Sequence, residues 1–149
     1  MKKVIIIVTL TLSLLSCSKN DDNNVSNPVE QQLTPNYTNI AGRWYYTSIV
    51  RPNGTTDPYV SSCSGKRDYA DIFTYRKITK HRFFSDCDEG TTDCIDFYLN
   101  GITIKSCFED FDNGRIIYLT PTTMKIEYDN VIYFGSIVGD GAKALILTK

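Results

Sequence analysis

The chain has 149 residues, 42% of them hydrophobic and 22% charged, with 16 Lys and Arg against 17 Asp and Glu for a formal net charge of −1. That length supports one domain with one modest core. The balanced charge argues against a nucleic-acid partner, because phosphate binding needs clustered Lys and Arg.

The N-terminus carries Lys2 and Lys3, then an apolar stretch from Val4 to Leu15 broken only by Thr9, Thr11 and Ser13. A charged n-region followed by an apolar h-region is the layout of a secretory signal. The stretch is too short to cross a bilayer as a helix, which takes roughly 20 apolar residues. It ends Leu14-Leu15-Ser16-Cys17, and polar residues follow at once. This resembles the lipobox of bacterial lipoproteins, in which a small residue precedes the cysteine. The resemblance implies a signal peptide over residues 1–16, cleavage after Ser16, and acylation of the Cys17 thiol and amine. Several acyl chains hold a protein stably on a membrane where one chain binds only marginally.

Residues 17–38 form the next segment, the lipidated Cys17 and a polar run with few aromatics and no hydrophobic period. Such a run buries too little surface to offset its ordering entropy and is expected to be a flexible tether. Lys19, Asp21 and Asp22 resemble the acidic surface-export signal of lipoproteins in some Gram-negative groups. The implied location is outside the cytoplasm, on the outer membrane or cell surface of a Gram-negative bacterium.

Residues 39–149 read as a single all-β domain. Short runs rich in Ile, Val, Tyr, Phe and Thr predict strands over 43–50, 69–76, 78–85, 94–99, 102–108, 115–120, 124–128, 131–138 and 142–148. Asn100-Gly101 lies between Leu99 and Ile102, a strong hairpin signal, and Asp129-Asn130 is expected to turn the chain between Tyr128 and Val131. Ile95, Phe97 and Leu99 alternate with polar neighbours, as do Met124, Ile126 and Tyr128, so these runs have one wet face. Eight or nine such strands suit an antiparallel meander closed into a small barrel.

Apart from Cys17 the cysteines are Cys63, Cys87, Cys94 and Cys107. An even number in an exported domain reads as disulfides. A strict meander places all four at one end. The short loop between Cys87 and Cys94 favours pairing these two, leaving Cys63 for Cys107. Cys63–Cys87 with Cys94–Cys107 stays open. Zinc is disfavoured, since there is no C-x-x-C pair and His81 is the only histidine.

The segment Ile40-Ala41-Gly42-Arg43-Trp44 opens the first strand. Gly42-x-Trp44 ahead of a β-meander resembles the lipocalin-like superfamily, and more closely the short lipocalin-like domains of bacterial surface or periplasmic lipoproteins. In lipocalins an Arg from a late strand typically packs over this Trp. No Arg follows Arg115 here, so the resemblance makes Lys143 the substitute.

Little in the chain points to catalysis. His81 sits between Lys80 and Arg82, with nothing nearby to orient it as a base, and is expected to be structural or exposed. No nucleophile elbow or metal-protease motif is present, so no enzyme activity, no cofactor and no resident metal are expected. The acidic run Asp86, Asp88, Glu89, Asp93 and Asp96 only loosely resembles a calcium loop and reads as a soluble hairpin tip. Among ten Tyr and seven Phe, the residues Tyr59, Phe84 and Phe108 are expected at the barrel mouth. The function expected is capture of a small apolar ligand there by a monomer held to the membrane through its N-terminal lipid. A structural or protein-interaction module at the cell surface is the alternative. A cavity of about 300 Å³ or more separates the two.

Overall fold

The computed structural model describes residues 30–133 and 141–149. The signal segment and Cys17 lie outside the described residues. The β-rich runs become ten strands: β1 (Gly42–Val50), β2 (Thr56–Pro58), β3 (Tyr69–Phe73), β4 (Lys77–Phe83), β5 (Glu89–Ile95), β6 (Tyr98–Asn100), β7 (Thr103–Lys105), β8 (Gly114–Leu119), β9 (Thr123–Ile132) and β10 (Ala142–Thr148). All pairings are antiparallel, and the order across the sheet is β5-β4-β3-β1-β10-β9-β8-β7-β6, with β2 beside β1. The predicted all-β antiparallel fold is what forms.

A closed meander would pair its first strand with its last and leave no other break. Here β1 does pair with β10, through Tyr45↔Thr148 to Val50↔Ala144. The break falls instead between β5 and β6, so the curled sheet is a half-barrel with a seam. The cause is local. The run expected as one strand over 94–99 divides at Asp96, which adopts φ 65°. Phe97 then donates its N–H to the Arg76 carbonyl at 3.2 Å and buries its ring, 1% exposed. The Asn100-Gly101 turn forms as expected, with Leu99↔Ile104 and Asn100↔Thr103 in register. Asp129-Asn130 does not turn the chain. β9 runs through both residues to Ile132, because Glu127 and Ile126 are already locked against β10 and β8. Positions 134–138 of the strand expected over 131–138 lie outside the described residues.

Period-two alternation sends Trp44 and Tyr46 of β1, Ala70 and Ile72 of β3, and Met124, Ile126 and Tyr128 of β9 inward, all at most 3% exposed. The Trp44 Nε1–H donates to the Ile40 carbonyl at 2.7 Å. The cation over its ring is Lys149, with Nζ 4.6 Å from the centroid. Lys143, the expected substitute, instead donates to the Asp129 carbonyl. Gly42 shows why the motif needs glycine. Its φ is 127°, and a Cβ there would lie 3.2 Å from Lys149 Cε, in the path of the side chain that covers Trp44.

The packed chain begins earlier than the expected boundary at 39. Leu33 donates its N–H to the Leu119 carbonyl at 2.7 Å, and the Glu30 carboxylate accepts the Thr120 and Thr122 hydroxyls at 2.6 and 2.9 Å. Leu33 and Tyr37 pack against the core, which offsets the ordering entropy of this polar segment. The described residues therefore supply every strand, both disulfides and the core from among themselves.

The disulfides are Cys63–Cys87 and Cys94–Cys107. The favoured pairing of Cys87 with Cys94 and Cys63 with Cys107 is not the one formed. β4 and β5 pair from Phe83↔Glu89 down to Ile78↔Cys94 and Lys77↔Ile95, so Cys94 lies at the far end of β5 from Cys87. The same register overturns the placement of all four cysteines at one end. Each bridge has a distinct task. Cys63–Cys87 ties the β2–β3 connection to the β4–β5 loop. Cys94–Cys107 crosses the seam, where the Cys107 N–H also meets Cys94 Sγ at 2.9 Å.

Candidate functional site

The seam shapes the site. Beside it a cleft of about 670 Å³ opens between β4–β5 and the segment that follows β7. Lys80, Arg82 and Phe84 come from β4 and its exit, Gly90, Thr91 and Thr92 from β5, and Phe108 and Asp110 from the facing segment. Phe84 is 56% exposed, and its ring lies over Gly90, where a Cβ would be only 2.6 Å from Cε2. Of the three aromatics expected at the mouth, Phe84 and Phe108 line this cleft together. Tyr59 does not line it. Its hydroxyl donates to Asp68 at 2.7 Å, and its ring packs 5.1 Å from that of Tyr46. Asp68 also accepts Ser61 and the Phe83 N–H, each at 2.9 Å, so Tyr59 helps hold the β2–β3 connection onto β4.

A buried charge pair forms the cleft floor. Asp110 is fully buried, and Lys80 Nζ lies 2.7 and 2.6 Å from its two carboxylate oxygens. Tyr46 donates its hydroxyl to the same carboxylate, and Tyr128 donates to the Asp110 carbonyl at 2.7 Å. Lys80 Nζ also stands 5.0 Å from the Phe108 ring centroid. Burial pushes the Lys80 ammonium below the usual lysine range, with Asp110 acting against that shift. Burial, and then the neighbouring Asp110 charge, raise the Tyr46 and Tyr128 phenols well above the usual range.

These shifts predict an alkaline limit. An unfolded tyrosine ionises near 10.0, while Tyr46 and Tyr128 stay protonated in the folded chain. The folded state binds more protons above that pH, so stability falls as pH rises past it. Lys80 has the opposite sign below its ordinary 10.5, since raising pH relieves the burial of its charge. Stability to urea is therefore expected to hold or rise up to pH 10.0 and to fall beyond it. Absorbance at the phenolate band checks this. Reversible ionisation of all ten tyrosines in the folded protein contradicts it.

His81 lies on the outer face of β4, away from the cleft. Its ring stacks on Tyr69 at 4.1 Å, Nδ1 is 2.6 Å from Glu89 and Nε2 is 3.4 Å from Asp71. Arg43 binds both oxygens of Asp71 at 2.9 Å. This is a cross-strand clamp joining β1, β3, β4 and β5. The acidic run is likewise spent locally. Glu89 joins that clamp, Asp93 accepts Thr79 and pairs with Lys77, Asp96 pairs with Arg76, and Asp86 accepts the Asp88 N–H. Among the described residues no group of three His, Cys, Asp or Glu is placed to share a metal ion.

Reading the sequence missed Lys80, Arg82 and Asp110. A signal for the first two was present. Ile78, Lys80, Arg82 and Phe84 are two apart, which puts two cations on a face that starts and ends apolar. Nothing in sequence brings Asp110 to Lys80.

No family model matches the chain, and no curated protein matches it. Among solved structures it is similar to a lipocalin-like protein from Bacteroides uniformis, with a TM-score of 0.51 and 14% identity over 74% of this chain and 98% of that one. At that identity the likeness concerns the backbone and not the site. Together with the antiparallel half-barrel and the cation-capped Trp44 that opens it, the likeness establishes a lipocalin-like fold for this chain.

Proposed function

We propose that this chain is a lipid-anchored binding protein whose domain captures a small ligand with an apolar part in the cleft beside the seam. The cleft itself carries the reading. Its volume of about 670 Å³ lies within the range of small-molecule sites, roughly 300–1,000 Å³. Phe84 and Phe108 present apolar rings on its walls, where solvent exposure of a large aromatic is otherwise unfavourable.

The two disulfides fit an oxidising compartment outside the cytoplasm. Among the described residues no helix is long and apolar enough to cross a membrane. Attachment through acylated Cys17 accords with both. Intact mass of the exported chain is expected to show acyl groups that Cys17→Ser lacks. Equal masses after allowing for the substitution defeat the anchor.

Ligand capture is tested with residues 18–149 and the neutral apolar dye N-phenyl-1-naphthylamine. Its fluorescence is expected to rise saturably, and the thermal midpoint to rise with occupancy, as linkage requires. Phe108→Ala should weaken binding about tenfold, ~1.4 kcal/mol, through loss of an aromatic wall. No saturable binding, or binding indifferent to Phe108, leaves the cleft without this function.

A further inference from the structure

We propose that the ligand is a monoanion, an apolar ring or chain bearing a carboxylate or sulfonate, and that Arg82 recognises its charge. The inference deepens the cleft reading above and rests on it. Six arginines occur in the chain, all among the described residues. Arg43 pairs with Asp71, Arg51 with Asp57, Arg76 with Asp96 and Arg115 with Glu127, and Arg67 stacks over Tyr45. Among the described residues Arg82 has no carboxylate within ion-pair distance and no side-chain hydrogen bond, yet it lines the cleft.

Its position follows from β4. Lys80 and Arg82 share the strand face that begins with the fully buried Ile78. A meander strand ordinarily keeps that face apolar. Lys80 has its explanation in Asp110. Arg82 stands beside it, and each cation disfavours the other. Such an arrangement gains from an anion that neutralises the guanidinium and satisfies its fork of donors. Phe84 and Phe108 supply the apolar walls, and the Thr91 and Thr92 side of the cleft adds hydroxyl donors. Of the two acidic residues in the lining, Asp110 is held by Lys80 and Tyr46, and Glu109 stands exposed at the rim. Glu109 therefore opposes the anion at longer range without occupying Arg82.

The test uses two dyes that differ by one charged group, 1-anilinonaphthalene-8-sulfonate and N-phenyl-1-naphthylamine, with residues 18–149. The sulfonate is expected to bind at least tenfold more tightly. Arg82→Gln should remove that advantage and leave the neutral dye unchanged. Arg82→Lys should keep part of it, because charge remains while the planar fork is lost. Glu109→Gln should tighten the sulfonate alone. Equal binding of both dyes, with Arg82→Gln affecting neither, overturns anion recognition while the cleft reading stands. A matched loss of both dyes in Arg82→Gln makes Arg82 a structural residue and also overturns it. Failure of either dye to bind removes the cleft reading and this inference together.

Discussion

Asp110→Ala is expected to cost the domain about 3–5 kcal/mol, the range found when one partner of a buried ion pair is removed. Asp110 is fully buried, and Lys80 has only 9% of its side chain exposed. The alanine would leave the Lys80 ammonium without the carboxylate at 2.6 Å and the Tyr46 hydroxyl without its acceptor. Tyr128 keeps its partner, since it donates to the Asp110 main chain. Against a total stability of about 5–15 kcal/mol, the loss is large enough to read directly in urea denaturation at neutral pH. A paired replacement separates the charge from the packing. Asp110→Leu with Lys80→Met should recover most of the loss, because a buried ion pair exchanged for apolar groups is often neutral or better. A loss below about 1 kcal/mol for Asp110→Ala shows that the pair is dispensable.

The second large effect concerns the seam. Cys94→Ala with Cys107→Ala is expected to cost about 3 kcal/mol by the loop-entropy estimate for a loop of this size, whose cysteines are 13 residues apart. The loss should be concentrated at the unpaired edges. β5 and the β6–β7 hairpin have no strand partner across the gap, and the disulfide is the covalent tie between them. Amide hydrogen exchange should accelerate along β5 and β7 while β1, β9 and β10 keep their protection, because those three pair on both sides. Cys63→Ala with Cys87→Ala should instead loosen the β2–β3 connection and the β4–β5 loop. Uniform acceleration in both variants contradicts a seam closed by Cys94–Cys107.

Much of the fold was legible because strand chemistry is local. β-branched and aromatic runs, turn residues at Asn100-Gly101, and period-two alternation act over a few residues, and eight of the ten strands lie where those signals put them. β2 escaped because Thr-Asp-Pro carries no apolar run, and it forms only by extending the edge of β1 through Ser48↔Pro58 to Val50↔Thr56. The Asp129-Asn130 turn failed for the reverse reason, since pairing of β9 on both sides overrode a local turn preference.

The site was half legible. Phe84 and Phe108 could be placed near one mouth from aromatic content and strand direction, and Gly42-x-Trp44 marked the strand that opens the half-barrel. The sequence by itself determined the strand content, the Asn100-Gly101 hairpin, the glycine ahead of Trp44 and the even set of four domain cysteines. Only the tertiary structure decided which cysteines meet, that Lys149 caps Trp44, that the sheet parts between β5 and β6, and that Arg82 faces a cleft. The physical reason is separation along the chain. Asp110 reaches Lys80 across 30 residues and Tyr46 across 64, and such contacts depend on register and sheet curl, which no short window of residues contains.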